Sequence, residues 1–531
     1  MQGNKVKKYL TFTGLGLFSA AAIALPIVAI QNSLKNSSSF DFNKIGIYVE
    51  KPWMPAYELA VKKYNEQFKD RKYDIQLLEL GAFDAVDLIQ KLGYADQKVA
   101  DLIYSPIDRV PTLVEHHGAL MGFDSPEKII SEEFDKVIYD GSDVKTFAKK
   151  GEALVTPPGS EAGTPAKPYY FGIPHSTEAL ILYYKGFSDE DVKSINNIVE
   201  SVQKDQWTKS MYSFKFNDLW YALGLIAGFL ESKQQGAGHN GQLVGKVLVS
   251  ANTLDSKFQS NMDHVDKEDK DFPLQEYKQT PGWTSSGVDI STSNATAALQ
   301  EALDFLAHYY NSSKVENKLL GTNGNDWLLD GDQYEPVTTK LSEKAEKAAV
   351  INGPWMVSNY SSIYTKAIPV PNIKNNIPYV QAPGGWLYAI NQRNAQNPDK
   401  IRDMKRFLNI LLTDQEVIMS QYKNAGKIIE GSFAKTTLEE YAKDQNTPQL
   451  ESSVINAVYQ SQTMDQRPDG GNADFNSVWS KWDENGFRAA ETKNFLVGIN
   501  SKNLTDDQVS QKLKAALAVS FNAMLRSLRD K

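Results

Sequence analysis

Short apolar runs and helical repeats alternate through the first hundred residues of the chain. β-branched and aromatic residues over 44–50 (KIGIYVE) predict a strand. Ala56, Leu59, Ala60 and Tyr64 then recur at helical spacing. The same alternation continues with a strand over 73–78, a helix over 83–92 and a strand over 99–104. Such alternation predicts a parallel sheet with helices on its faces.

A second group of strands is predicted over 170–174 and 179–184, and another strand over 386–390 (WLYAI). Apolar residues at helical spacing predict helices over 399–413 and near the end of the chain, over 504–528. Residues 232–346 are polar and predict helices with long insertions. A chain of 531 residues exceeds one ordinary core. Since no Pro- or Gly-rich linker separates domains, we expect lobes joined by crossing strands.

The N-terminus has the pattern of an export signal or a membrane anchor, which we place at residues 1–35. Lys5, Lys7 and Lys8 precede an apolar run over 9–30, and a Ser/Asn-rich stretch follows. Positive charge before the run predicts that the remaining chain lies outside the cell. The end of the run resembles a lipoprotein signal, but the sequence has no cysteine that could carry a lipid.

Composition excludes several classes of function. The formal charge of −8 argues against nucleic acid as a partner. The absence of cysteine excludes disulfides, thiolate metal sites and cysteine nucleophiles. No histidine pair has metal-binding helix spacing, and the sequence has no GxSxG, GxxxxGK[ST] or GxGxxG motif. We therefore expect no metal and no cofactor.

The stretch DLIYSPIDR over 101–109 is the most informative local feature. Its apolar run predicts a buried strand that delivers Asp108 and Arg109 to the loop at its C-terminal end, where ligands bind in open α/β sheets. A carboxylate accepts hydrogen bonds and a guanidinium donates them, so the pair suits a ligand covered in hydroxyls. A local salt bridge is the simpler alternative.

Three tryptophans with polar neighbours are candidate sugar-stacking residues. Trp220 follows Asp218 at the start of a helical run, Trp355 lies in the turn NGPW, and Trp479 follows Phe475 closely. A flat indole packs on the apolar face of a sugar ring, whereas core packing is the alternative for each of them.

Four stretches resemble the extracellular solute-binding proteins of carbohydrate ABC transporters, nearest to the maltodextrin-binding proteins. They are DLIYSPIDRVPTLVEHHGAL (101–120), YFGIPHSTEALILYYKG (170–186), INGPWMVSNY (351–360) and FLNILLTDQE (407–416). Their order and spacing agree with the family over most of the exported chain, and the last two are the most specific.

The resemblance implies a type II periplasmic-binding-protein-like fold, in which crossing hinge strands join two α/β lobes around a ligand cleft. The N-terminal lobe would comprise 43–176 and 385–431, and the C-terminal lobe 177–384 and 432–531, with insertions over about 232–346. The hinge would lie near 176–179, 384–387 and 430–433. The protein would be a monomer without enzymatic activity that closes on its ligand. It would deliver that ligand to a membrane permease with ATPase subunits.

The family's ligand contacts would fall on nine residues of this chain. The polar contacts would be Glu50, Lys51, Asp108, Arg109, Glu178 and Asp218, and the aromatic ones Trp220, Trp355 and Trp479. One departure concerns Ser105, which replaces a family tryptophan three residues before the Asp-Arg pair. One stacking surface is thus missing, so the resemblance implies an oligosaccharide more firmly than maltodextrin itself.

Three alternatives stay open from the sequence. A binding protein for glycerol phosphate or another polyol phosphate would need convergent cations, for which Arg109 and Lys51 are the obvious candidates. A surface glycoside hydrolase would use two carboxylates among Glu50, Asp108, Glu178 and Asp218. A surface adhesin on the same scaffold would bind no small molecule.

Overall fold

The computed structural model describes residues 39–115, 117–129, 150–155, 167–205, 209–215, 218–232, 301–302, 304–305, 331–382 and 384–461. The predicted N-terminal segment, the helix at 504–528, Trp479 and most of the polar region 232–346 lie outside these residues. In the part of the chain that the structure describes, no helix combines the length and apolar composition that a membrane span requires.

A six-stranded sheet is built largely from the two ends of the described chain. Its strands are β1 (Lys44–Val49), β2 (Asp74–Glu79), β3 (Leu102–Pro106), β6 (Ile173–Glu178), β11 (Gly384–Ile390) and β12 (Ile428–Ile429). Their order across the sheet is β12-β6-β11-β3-β1-β2. β1, β2 and β3 are parallel, whereas β11 runs antiparallel to both β3 and β6. The predicted parallel sheet is therefore found only at one side of a mixed sheet.

The second large sheet has four strands. A small two-stranded sheet comes between β3 and β6 in the sequence. The four strands are β7 (Ile181–Lys185), β8 (Ser210–Ser213), β9 (Lys347–Asn352) and β10 (Lys366–Pro369), in the order β10-β7-β9-β8. The small sheet pairs β4 (Glu152–Val155) with β5 (Lys167–Tyr170).

Helices flank both larger sheets. In chain order they are α1 (Met54–Gln67), α2 (Ala82–Leu92), α3 (Val110–Glu115), α4 (Pro126–Ile129), α5 (Ile195–Lys204), α6 (Leu219–Ser232), α7 (Gly331–Lys344), α8 (Val357–Tyr360), α9 (Pro398–Thr413), α10 (Gln415–Ala425), α11 (Ser432–Lys443) and α12 (Gln449–Gln460). Helices α9 and α10 pack against α1, and α12 packs against β10. Asn397 caps α9 and Asp414 caps α10 through side-chain oxygens that accept backbone N–H groups.

The chain passes between the two larger sheets over very few residues. β6 ends at Glu178 in the six-stranded sheet, and β7 begins at Ile181 in the four-stranded sheet. β11 and β12 both pair with β6, so three segments meet at this place. We call this place, where residues 178–181 lie beside β11 and β12, the crossing.

The α/β fold class is confirmed, and most predicted elements are found with small shifts. The strand predicted over 99–104 begins at Leu102 and extends to Pro106. The strand predicted over 170–174 divides into β5 and β6 around Phe171 and Gly172. The lobe boundaries and the hinge remain predictions, because a sheet assignment does not show which parts move together.

Candidate functional site

The C-terminal ends of the three parallel strands carry four of the predicted site residues. Glu50 and Lys51 follow β1, and Asp108 and Arg109 follow β3 in a short 3-10 helix. Lys51 is exposed, and the other three are half-buried. Loops at this edge of an open α/β sheet are the usual place for a ligand.

Arg109 makes a salt bridge with a residue of α2. Its Nη1 donates to Asp87 Oδ1 at 3.3 Å, and its guanidinium carbon lies 4.8 Å from the ring centroid of Phe83. Phe83, half-buried at the start of α2, also contacts the Trp386 ring edge to face at 5.2 Å. The aromatic neighbour of the Asp-Arg pair is therefore Phe83, a residue that the sequence analysis did not identify.

Glu50 is a half-buried carboxylate close to other charges. Its Oε1 accepts the backbone N–H of Ala82, the first residue of α2, at 3.0 Å. Burial raises the pKa of Glu50, and the charges of Glu178 and Asp84 raise it further, whereas the Ala82 N–H and Lys427 lower it. The Ala82 N–H and the charge of Lys427 are thus the partners that favour the ionised form of Glu50.

Glu178 ends β6 and is held by a buried lysine from the next segment of the crossing. Lys427 Nζ donates to Glu178 Oε1 at 3.2 Å; the lysine side chain is 5% exposed and the glutamate side chain 16%. Lys427 lies directly before β12, so this ion pair joins the end of β6 to the start of β12.

Three buried aromatic rings surround the ammonium of Lys427. Its Nζ lies 4.5 Å from the ring centroid of Trp53, 5.1 Å from Trp386 and 5.6 Å from Tyr104. Tyr104 and Trp386 are stacked with an interplanar angle of 10°, and Trp53 meets Tyr104 edge to face. Cation–π attraction stabilises an ammonium at such distances. We call the six residues Glu50, Trp53, Tyr104, Glu178, Trp386 and Lys427 the crossing cluster.

Trp220 approaches the crossing from the side of the four-stranded sheet. Its backbone N–H donates to Asp218 Oδ1 at 3.0 Å at the start of α6, and Asp218 faces Lys215 Nζ at 3.5 Å. A Cβ on Gly384 would lie only 2.5 Å from Trp220 Cζ2, so the indole packs directly on the glycine backbone. Gly384 is paired with Glu178 in the sheet, which brings Trp220 next to the predicted contact Glu178.

Trp355 lies half-buried in the NGPW turn after β9. Its Cα would be 2.9 Å from a Cβ on Gly426, whose φ of 62° is in the left-handed region. Gly426 immediately precedes Lys427, so the Trp355 turn abuts the segment that enters the crossing cluster. Trp355 and Trp220 are therefore near different strands of the same crossing.

The four-stranded sheet adds a polar network beside Asp218. Asn352 Oδ1 accepts from Tyr221 Oη at 3.0 Å, and Asn352 Nδ2 donates to Tyr360 Oη at 3.2 Å. Burial raises the pKa of Glu335, while the charge of Lys215 and a hydrogen bond with Asn352 lower it. This network positions the loop that carries Asp218 and the turn that carries Trp355.

The structure thus gathers most of the predicted residues around one place. Glu50 and Glu178 belong to the crossing cluster, Trp220 packs beside it, and Arg109 reaches it through Phe83. Trp479 lies outside the described residues. The described residues bring no three His, Cys, Asp or Glu side chains together in a way that could hold a metal ion.

The sequence analysis missed four members of this cluster, Trp53, Tyr104, Trp386 and Lys427. Lys427 precedes the apolar pair Ile428–Ile429 and lies close to the predicted hinge at 430–433. The position of this lysine next to the predicted hinge is the sequence signal that could have identified it as a site residue.

No protein-family model matches the chain, and no curated protein matches it. Solved structures do match. MalX from Streptococcus pneumoniae, solved in complex with maltopentaose, is similar with a TM-score of 0.52 at 17% identity, over 91% of this chain and 99% of MalX. The maltose-binding protein MalE from Listeria monocytogenes, solved with maltose, gives 0.50 at 15% identity over 92% and 97%.

A cyclo/maltodextrin-binding protein solved with maltotetraose is similar to the same extent, with a TM-score of 0.50 at 14% identity over 92% of this chain and 97% of that one. At these identities the comparison concerns the fold. The chain has the fold of the maltodextrin-binding proteins, which is the type II fold that the sequence resemblance implied.

Proposed function

We propose that this chain is the substrate-binding subunit of an ABC importer and captures an oligosaccharide of the maltodextrin type outside the cell. The observation that carries the proposal is the arrangement at the crossing, where carboxylates from the six-stranded sheet lie near half-buried indoles from the side of the four-stranded sheet, within the fold of maltodextrin-binding proteins. Residues 1–35 would export or anchor the chain. A permease with ATPase subunits would then accept the sugar.

The residues at the crossing match the chemistry of a sugar. Sugar hydroxyls donate to carboxylates, and Glu50 and Glu178 are accessible acceptors on one side of the crossing, with Asp218 on the other. The indole of Trp220 and that of Trp355 offer flat apolar faces for the C–H side of a ring. Together they provide both kinds of contact that an oligosaccharide needs.

The placement of these contacts supports a closure of two lobes around the ligand. Glu50 and Arg109 lie on the six-stranded sheet, whereas Trp220 and Trp355 lie beside the four-stranded sheet. If a ligand gains all contacts only when the lobes approach, binding shifts the population towards the closed form. A permease could recognise that form, and no bond is made or broken.

A phosphate ligand is less well supported by the geometry. Arg109 is paired with Asp87, Lys427 with Glu178, and Lys215 with Asp218. A dianion at this place would have to compete with a carboxylate for each of these three cations, and it would lie close to Glu50. The other candidate cation, Lys51, is exposed. A neutral ligand rich in hydroxyl groups, such as a sugar, neither competes with the carboxylates for these cations nor is repelled by Glu50.

The test is a thermal-shift series on the full chain in a detergent that contains no maltoside. We expect maltotriose or a longer glucose oligosaccharide to raise the unfolding midpoint, since a ligand that binds only the folded state stabilises it. Glycerol 3-phosphate should not. Trp220→Ala should reduce the shift, whereas Phe42→Ala, which removes an exposed aromatic that packs on Arg393 at the opposite end of β1 from Glu50, should not.

A rise of the unfolding midpoint with glycerol 3-phosphate alone would show that the ligand is a polyol phosphate and not a sugar. Release of new reducing ends from the oligosaccharide during incubation would establish a hydrolase instead. No shift with any compound would support an adhesin and contradict the proposal.

A further inference from the structure

Lys427 is buried with an unusual set of neighbours. Its ammonium lies 3.2 Å from a carboxylate oxygen of Glu178 and within 6 Å of the ring centroids of Trp53, Tyr104 and Trp386. The rings are themselves buried, with exposures of 3% to 4%. They hold the cation in place but offer no open face to a ligand.

Two carboxylates face this one cation. Glu178 binds it directly, and Glu50 feels it together with the repulsion of Glu178 and Asp84. Like charges in a partly buried site cannot all stay ionised without a nearby cation. A protonated carboxyl offers a donor where a sugar hydroxyl needs an acceptor. The charge of Lys427 therefore favours the ionised, accepting form of Glu50, and the ion pair holds the carboxylate of Glu178 in place.

We propose that Lys427 is a positioning residue of the binding site, whose ammonium fixes Glu178 at the crossing as an acceptor for ligand hydroxyls beside Glu50. The proposal rests on the proposed sugar-binding function for its ligand. Its physical core is the ion pair between the buried ammonium of Lys427 and Glu178, and the lowering of the pKa of Glu50 by the same charge supports it.

Other titratable groups face this cluster from the elements that pack around it. They are Asp84 at the start of α2, Tyr57 on α1, Tyr104 on β3, His175 on β6 and Tyr388 on β11. Burial raises the pKa of each tyrosine and lowers the pKa of His175 to about 3. All four stay neutral between pH 4.5 and 8 and therefore contribute no change of charge in that range.

The first test measures the affinity for maltotriose between pH 4.5 and 8, with wild type, Lys427→Met and Lys427→Arg. Methionine keeps the contacts with the rings and removes the charge, whereas arginine keeps the charge. We expect Lys427→Met to bind about tenfold more weakly at pH 7 and to move the acidic loss of affinity upward by about one pH unit. Lys427→Arg should keep the wild-type profile. A wild-type profile for Lys427→Met would overturn the proposal.

The second test needs no ligand. Carboxyl carbon-13 NMR of the full chain would follow Glu50, assigned by the loss of its signal in Glu50→Gln. We expect Lys427→Met to raise the pKa of Glu50 and Lys427→Arg to leave it unchanged; an unchanged pKa in Lys427→Met would contradict the inference even if no sugar binds. Should Lys427→Met fail to fold, Lys427→Gln serves as the neutral variant. Absence of maltotriose binding by wild type, with the expected NMR result, would refute the function and leave the role of Lys427 intact.

Discussion

Among the residues that the structure describes, the cluster around Asp101 and the crossing cluster each place a carboxylate beside a buried lysine, and they differ in how their carboxylates are satisfied. In the first, Asp101 is fully buried beside Arg393 and Lys400. Its Oδ1 accepts from Arg393 and Asn394, and its Oδ2 accepts from the Gly46 N–H at 2.8 Å and lies 3.1 Å from Lys400 Nζ. Both of its oxygens therefore have partners within the protein.

The crossing cluster leaves its carboxylates less fully occupied. Glu178 is partly exposed and bound by Lys427, whose ammonium also lies against aromatic rings. A carboxylate has about four lone-pair sites, so Glu178 retains capacity to accept further hydrogen bonds. The difference indicates that the Asp101 cluster stabilises the fold of the six-stranded sheet, whereas the crossing cluster keeps acceptors available for a ligand.

The largest expected effect comes from Asp101→Asn, which leaves the charges of Arg393 and Lys400 buried without compensation. We expect the free energy of unfolding to fall by about 3 to 5 kcal/mol, with the affinity of the folded protein for maltotriose unchanged. Denaturant unfolding and calorimetric titration measure the two quantities. A weaker affinity at unchanged stability would end the distinction between the clusters.

His175 gives the crossing a second dependence on pH. It is buried, and its Nε2 lies 2.8 Å from Gln421 Oε1; burial and the charge of Lys427 lower its pKa to about 3. The unfolded state takes up the proton below about pH 6.5 and the folded state does not. Stability from this group is thus complete above pH 6.5 and is lost as pH falls from there towards 3.

We therefore expect this group to lower the free energy of unfolding by up to about 1.4 kcal/mol per pH unit between pH 6 and 4. His175→Gln should reduce the slope by nearly one proton over that range. Unfolding by urea at several pH values checks it, and equal slopes for both proteins would show that His175 is not buried in its neutral form.

Glu178→Gln should mainly weaken ligand binding, whereas Asp101→Asn should mainly weaken folding. The amide keeps the shape of the side chain but weakens its acceptor and ends the ion pair with Lys427. We expect affinity for maltotriose to fall by about 1 to 2 kcal/mol, with a smaller loss of stability than in Asp101→Asn. Calorimetric titration gives the first value, and unaltered affinity would remove Glu178 from the site.

The smallest expected effect is a gain in stability. Because burial raises the pKa of Glu50, the folded state binds the proton of this carboxyl more tightly than the unfolded state. The ionised carboxylate therefore lowers the stability of the fold once the pH rises above the pKa that Glu50 has in the unfolded state. Glu50→Gln should raise the free energy of unfolding at pH 7 by about 0.5 to 1 kcal/mol while weakening sugar binding. A loss of stability would show that its charge stabilises the fold instead.

Local patterns predicted the parts of the molecule that local physics determines. The apolar run of β1 and the helical spacing of α1 are found nearly where the sequence placed them. The position of Asp108 and Arg109 at a strand end followed from the same pattern, because a strand and the loop after it are contiguous in sequence.

Partners distant in sequence could not be predicted in this way. Lys427 lies 249 residues from Glu178, and only the antiparallel pairing of β12 with β6 brings them together. Arg109 pairs with Asp87 because α2 packs beside β3. No periodicity encodes such contacts, so the crossing cluster required the fold.

A crystal structure of the chain grown with maltotriose tests the central claim most directly. The account predicts a sugar at the crossing, with a ring against the indole of Trp220 or Trp355 and hydroxyls donating to Glu178 or Glu50. A sugar bound elsewhere on the surface, or a crossing that stays empty at saturating maltotriose, would contradict it.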